Sequence, residues 1–243
     1  MKLIERIRLI CRTLKYKNKN DKGGIAYLLS TIREGDTVFD IGAHKAGYLY
    51  FMIKKAGIKG NIFAFEPQIL LYQYIVKLKR LFNWTNVTIE HLALSDKAGR
   101  VKLYIPSDRN SQASSPGASI VKLDYPGGIG STEEVDTETL DSYCTRHGIR
   151  PDFLKIDVEG NELRIFNGGL STLRKCKPKI LVEIEARHVG RDQVYQTIEF
   201  LQNMGYQGYF IQDMNWLPVS SFNFDTHQNP GNRKMYCNNF IFE

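Results

Sequence analysis

Cysteine is scarce in this chain and nowhere paired. Cys11, Cys144, Cys176 and Cys237 are the four it has in 243 residues, spaced too widely for a CxxC pair or a zinc ligand set. They read as free thiols. Long hydrophobic runs are lacking too: no stretch approaches the roughly 20 uncharged apolar residues that a spanning helix requires, and the start lacks the apolar core and small-residue cleavage site of a secretory signal. The expected location is cytoplasmic. An excess of basic over acidic charge is lacking over most of the length. A net charge of +7 would suggest nucleic acid if it were spread over one face. Met1–Asn20, however, holds Lys2, Arg6, Arg8, Arg12, Lys15, Lys17 and Lys19 against Glu5 alone, so this segment carries +6 and everything after it +1. No nucleic-acid groove is expected. The bulk composition, 42% hydrophobic and 24% charged, suits one α/β domain with trimmings.

In the basic segment Leu3, Ile7, Ile10 and Leu14 recur at helical spacing with cations between them, which predicts a cationic amphipathic helix. Such a helix can lie on an anionic membrane surface, giving a peripheral attachment through residues 1–20. It can equally bind a partner, or pack on its own domain with a solvated basic face. Residues 1–34 are taken as this helical extension and 35–243 as the main domain. From Asp36 onward short apolar runs alternate with helical periods. Strands are predicted at Thr37–Ile41, Asn61–Glu66, Val87–His91, Gly99–Ile105, Asp152–Val158, Ile180–Ile184 and Gln207–Ile211, with a closing strand at Asn239–Phe242. Helices are predicted at Gly47–Ala56, Gln68–Phe82, Leu140–His147, through Leu163, Phe166, Leu170 and Leu173, and at Gln193–Met204. Residues 106–135, rich in Ser, Gly and Pro, read as a loop insertion. The alternation predicts an α/β fold with a mainly parallel central sheet and helices on both faces, its ligands beyond the carboxyl ends of the strands.

Charged residues cluster at those strand ends. The first predicted strand runs into Asp40-Ile41-Gly42-Ala43-His44-Lys45-Ala46-Gly47, whose glycines let backbone approach a ligand closely. The turn is no P-loop, because Gly47 is followed by Tyr48 where Lys and then Ser or Thr would stand. It is no dinucleotide fingerprint either, since His44 occupies a position that motif gives to glycine. Without a phosphate cradle, an acidic strand end such as Asp40 better complements S-adenosylmethionine, which carries a sulfonium and an ammonium but no phosphate. Phe65-Glu66-Pro67 sets a carboxylate at the adjacent strand end, able to accept from both ribose hydroxyls. Ala93-Leu94-Ser95-Asp96 offers small and apolar groups suited to an adenine ring. In Phe153-Leu154-Lys155-Ile156-Asp157-Val158-Glu159-Gly160, three charged residues alternate with apolar ones in an otherwise buried strand, so they are expected to face one another or a ligand. Val182-Glu183-Ile184-Glu185 and His188 close the next strand, with Glu183 and Glu185 on one face.

Together these segments, with Thr139-Leu140-Asp141, resemble the FkbM-type methyltransferases, a branch of the class I S-adenosylmethionine-dependent enzymes, from about Gly35 to Tyr209. The family usually has Asn where His44 stands. The resemblance implies a class I methyltransferase Rossmann-like fold and O-methylation of a hydroxyl on a sugar, glycan, lipid or polyketide-like natural-product acceptor. It further implies a cofactor turn at Asp40, Gly42, Ala43, His44 and Gly47, a ribose acceptor at Glu66 and an adenine edge at Ser95, with Asp157 and Glu159 facing the methyl group and acceptor. For the proton that a hydroxyl must lose, Asp157 or His188 is the expected general base, with His44 third and Lys155 holding Asp157 ionised. No dedicated metal-ligand spacing is present, although Asp157, Glu159 and Glu183 could gather a divalent cation. The competing classes are a nicotinamide-dependent oxidoreductase with an unusual turn and a non-catalytic adaptor acting through the basic helix. Acceptor choice is expected from residues 106–135 and from Trp216–Tyr236, where Trp216, Phe222 and Phe224 could either stack on sugar faces or simply pack.

Overall fold

Residues 2–107, 117–123 and 127–243 are described by a computed structural model of the chain. Chain order is α1 (Lys2–Lys15), a π-helical turn (Tyr16–Asn20), α2 (Lys22–Thr31), β1 (Thr37–Ile41), α3 (Leu49–Ala56), β2 (Asn61–Phe65), α4 (Ile69–Phe82), β3 (Val87–Glu90), β4 (Ala93–Ser95), β5 (Gly99–Pro106), β6 (Ile129–Thr139) and α5 (Leu140–His147). It continues with β7 (Phe153–Ile156), α6 (Glu162–Asn167), α7 (Leu170–Cys176), β8 (Lys179–Glu183), α8 (Ala186–Asn203), β9 (Gly208–Gln212), β10 (Asn215–Pro218), α9 (Phe224–His227) and β11 (Asn239–Phe242).

Eight strands form one sheet in the order β10-β9-β11-β8-β7-β1-β2-β3. The run from β3 through β2, β1 and β7 to β8 is parallel, while β11 is antiparallel to both β8 and β9. Period-2 alternation explains the two cores. Phe39, Ile41, Leu154, Ile156 and Val182 face the side packed by α5, α6, α7 and α8. Val38, Ile62, Phe153 and Leu181 face the other side, which α2 and α3 cover with Ile25, Leu28, Leu49 and Met52. Truncating a fully buried ring such as Phe39 to Ala in this sheet should cost roughly 3–5 kcal/mol. The chain turns one way from β1 to β2 and β3 and the other way to β7 and β8, so a crevice opens at the carboxyl ends of β1 and β7, where such folds bind ligands.

Several elements differ from the sequence expectation. Residues 129–135, expected within the loop insertion, begin β6 of a separate three-stranded sheet ordered β4-β6-β5. Of the remaining insertion, 108–116 and 124–126 lie outside the described residues. The strand expected over Asp152–Val158 stops at Ile156, so Asp157 and Glu159 stand on the loop beyond it, Glu159 with a left-handed φ of 55°. The single helix through Leu163 to Leu173 is two helices broken at Gly168-Gly169, where the backbone of Gly168 lies so close to the Ser95 carbonyl that a Cβ would come within 2.2 Å of it. The last strand does not close an edge; it is inserted between β8 and β9. Phe222 and Phe224 are buried beside Phe210 and Phe240, and Trp216 packs edge-on against Tyr27 with centroids 5.1 Å apart. Phe222 and Phe224 are packing residues, whereas Trp216 stays 42% exposed.

Candidate active site

The turn after β1 is tied to the neighbouring strand. Gly42 and Ala43 both donate their N–H groups to the Phe65 carbonyl, at 3.0 and 3.1 Å. Gly42 has φ +82°, and a Cβ there would sit 1.9 Å from the Asp157 carbonyl oxygen, so only glycine brings the ends of β1 and β7 this close. His44 follows in the left-handed region (φ 48°), which directs its N–H to Glu66 Oε2 at 2.7 Å. The other carboxyl oxygen of Glu66 accepts from the Gln68 N–H at 2.9 Å. Burial pushes the Glu66 carboxyl up to about 7, against the pull of those two N–H bonds. Each oxygen keeps lone pairs for a further donor. Burial, reinforced by the charge of Lys45, pushes the His44 imidazole down to about 4, leaving it uncharged at neutral pH.

Lys155 is the hub beneath this turn. It lies opposite Asp40 in the β1–β7 register. Its ammonium is 3.5 Å from the Asp40 carboxylate, 3.4 Å from that of Asp157 and 3.1 Å from the Gly42 carbonyl, to which it donates a hydrogen bond. The ring of Tyr48 faces it at 5.3 Å. Burial disfavours the ammonium, but Asp157 and Asp40 together more than reverse this, and the pKa of Lys155 lies above its ordinary value. Asp40 is wholly buried, and its carboxyl is pushed up by that burial, with Lys155 opposing.

One cavity brings together Gly42, Ala43, His44, Gly47, Glu66, Lys155, Asp157 and Glu159 of the residues singled out from sequence. Three others are placed elsewhere. Asp40 sits under the turn as the counter-ion of Lys155. Ser95 points its hydroxyl at Asp96 and Asn161, at 3.1 and 3.5 Å, beside a separate notch near Arg164. His188 stands behind Glu159, with Nε2 3.0 Å from its carboxylate. Burial opposes the imidazolium, yet the hydrogen bond to Glu159 prevails and raises the pKa of His188. Glu183 also lines the cavity. Burial, then the nearby charges of Asp157 and Glu185, raise its carboxyl well above the usual range, and the Asn238 amide donates to both Glu183 and Glu185 at 2.7 Å.

Among the wall residues that sequence reasoning missed are Tyr16, Tyr48 and Asn161. Asn161 holds the Leu94 carbonyl at 2.9 Å, and its place directly after the Asp157–Gly160 run could have marked it. Tyr16 could not have been found this way. It comes from the N-terminal segment, its ring filling the space beside Gly47, where a Cβ would be 3.0 Å away. Ala118, Ser119 and Ile120 complete the wall, anchored where the Ser119 hydroxyl donates to the Glu159 carbonyl at 2.7 Å. Among the described residues, no three His, Cys, Asp or Glu side chains converge as a metal site.

The lining fits S-adenosylmethionine by its chemistry. Among the described residues, four carboxyl groups, Glu66, Asp157, Glu159 and Glu183, face the space with one lysine, Lys155, a lining rich in acceptors for an ammonium and ribose hydroxyls and hostile to phosphate. Apolar Leu92, Ala93 and Leu94 line the same cavity as Glu66 and Asn161, the mix of apolar and polar groups that a nucleoside requires.

Residues 40–208 match the Methyltransferase FkbM domain model. Among solved structures, a methyltransferase FkbM from Methylobacillus flagellatus is similar with a TM-score of 0.56 and 16% identity, over 98% of this chain and 59% of that one. Cofactor-bound Rv0187 from MTB is similar with a TM-score of 0.51 and 13% identity, over 98% of this chain and 88% of that one. Identities this low establish a shared fold. This chain therefore spans a little under three fifths of the first of these proteins. No curated protein matches. Because the matched segment runs from Asp40 in the turn through the cavity walls and β8, the chain belongs to the FkbM methyltransferases, an S-adenosylmethionine-dependent family.

Proposed function

We propose that this chain methylates a hydroxyl oxygen of a sugar, glycan, lipid or natural-product acceptor, with Asp157 taking the hydroxyl proton. The observation that carries this reading is the position of Asp157: its carboxylate is one-third exposed at the cavity while Lys155 braces it from beneath. S-adenosylmethionine, when bound, supplies a methyl group already activated on a sulfonium. The chain's own contribution is then alignment and proton removal. Gly42, Ala43 and Gly47 give the close backbone approach, Glu66 accepts from ribose hydroxyls, and Leu92, Leu94 and Asn161 take the adenine. Glu183, which its surroundings favour in the protonated form, can donate a hydrogen bond into the cavity. His188 positions Glu159, and the pair orients the acceptor. Uncharged His44 adds no positive charge beside the cofactor. In this reading residues 35–243 are the methyltransferase domain, residues 1–34 an extension that lends Tyr16 to it, and the segment around Ala118–Ile120 selects the acceptor.

The test is release of adenosylhomocysteine from a panel of hydroxylated acceptors, with the methylated atom located by NMR. Asp157→Asn should lower turnover about a hundredfold or more while still binding adenosylhomocysteine. Near-normal turnover of that variant removes Asp157 as the base, and a methyl group found on carbon or nitrogen refutes oxygen as the acceptor.

A further inference from the structure

Helix α1 is docked by the side opposite to its apolar stripe. Leu9 and Thr13 are buried. Arg6 donates to the Leu81 carbonyl at 2.7 Å and lies over the Phe82 ring. Arg12 reaches the Lys45 carbonyl at 2.8 Å and the Tyr74 hydroxyl at 3.2 Å, and Glu5 pairs with Lys77. Contacts on this side fix the rotation of the helix, and they turn Ile4, Ile7, Ile10 and Leu14 outward, 55, 50, 40 and 50% exposed. At 100° per residue these four fall within an arc of roughly 120°. Exposed Arg8 and Lys15 run along one edge of the arc, and exposed Lys17 and Lys19 follow its end.

We infer that this face is an interface for an anionic lipid surface, with α1 lying in the plane of the membrane. Apolar side chains scattered singly over a surface call for no explanation. Four in one stripe, edged by cations, have the composition of an interfacial helix. The rim selects the occupant. A second copy of the chain would bring two such clusters together, each belonging to a twenty-residue segment with a net charge of +6, whereas an anionic surface attracts each cation by about fivefold in partitioning. At 14 residues α1 is an interfacial length, and no helix among the described residues is long and apolar enough to cross a membrane. The stripe ends at Leu14, two residues before Tyr16, which turns the other way into the cavity wall.

The test is co-sedimentation of the full chain with phosphatidylcholine vesicles and with vesicles also containing phosphatidylserine. The expected result is binding to the anionic vesicles that weakens with added salt. Ile7→Asp combined with Leu14→Asp should reduce it at least tenfold, and Arg8→Ala combined with Lys15→Ala about 25-fold. All four side chains are exposed, so thermal midpoint and adenosylhomocysteine binding should stay at wild-type values, which separates loss of docking from loss of fold. Equal partitioning of the wild type into neutral and anionic vesicles overturns the inference, as does unchanged sedimentation of both variants. So does a concentration-dependent dimer that the Ile7→Asp, Leu14→Asp variant dissociates, if the wild type ignores vesicles.

Discussion

Replacing Lys155 by Met keeps an unbranched side chain only one atom shorter and removes the charge from between Asp40 and Asp157. The two carboxylates then fare differently. Asp157 is one-third exposed and can be rehydrated, but Asp40 is wholly buried and can recruit no water. The loss should therefore fall almost entirely on Asp40, and breaking a buried pair from one side costs about 3–5 kcal/mol. At about 2–4 °C per kcal/mol for a chain of this size, the midpoint of thermal unfolding should fall by about 6–20 °C. The pH dependence has a definite sign. Burial already raises the carboxyl of Asp40 in the folded chain, and loss of Lys155 raises it further, so the folded variant binds a proton that the unfolded chain releases. The deficit of Lys155→Met should thus be largest near neutral pH and shrink as the medium is acidified toward the ordinary carboxylate range. Adding Asp40→Asn should restore most of the lost stability, since it removes the stranded charge. Urea unfolding of the wild type, both single variants and the double variant, at two pH values, measures all of this. A deficit below about 1 kcal/mol, the size of an exposed pair, or a double variant no better than Lys155→Met, would refute the reasoning.

Gly42→Ala must move the Asp157 carbonyl and force a left-handed alanine, so adenosylhomocysteine affinity measured by calorimetry should fall at least tenfold; wild-type affinity would show that the two strand ends can separate freely. The raised pKa of His188 contributes stability that is present below the ordinary imidazole value of about 6.5 and lost as pH rises through the folded value. The stability gap between wild type and His188→Ala should accordingly be wider at pH 6 than at pH 9, and a gap that widens toward alkaline pH contradicts the Glu159 pairing. Burial pushes the Cys144 thiol up to about 12 and the Cys237 thiol to about 11, while Cys11 is exposed. Maleimide labelling of the folded protein, read by peptide mass spectrometry, should therefore modify Cys11 first, and early labelling of Cys144 would contradict its place in the core.

The turn after β1 was legible because an apolar run ending in glycines is a local signal, and Glu66 because it ends the next run in the same manner. Lys155, Asp157 and Glu159 could be grouped from sequence since buried charges require partners. What their spacing could not give is register. Asp40 meets Lys155 across two strands more than a hundred residues apart, and that pairing draws Asp40 under the turn and away from the cavity. β6 escaped notice because it is largely exposed, burying little besides Val135 and Thr137, so its sequence lacks the alternation that marks a half-buried strand. Ser95 followed β4 into that smaller sheet. The docking side of α1 was illegible for a related reason: hydrophobic periodicity identifies the stripe, while Arg6, Leu9 and Arg12 decide which way it turns.

The insertion of β11 between β8 and β9 has a consequence for synthesis. The β9–β10 hairpin has no other strand to join it to the sheet, and residues 239–242 follow every other strand of that sheet in the chain. While they remain in the exit tunnel, β8 presents a bare edge and the hairpin has no seat, although every parallel strand of the sheet has already emerged. Vectorial folding can thus assemble the half of the sheet that holds the turn after β1 early. The other half must wait for a contact of long sequence separation, which is slow to form, and during that wait the β8 edge, carrying Ile180, Leu181 and Val182, is open to other chains.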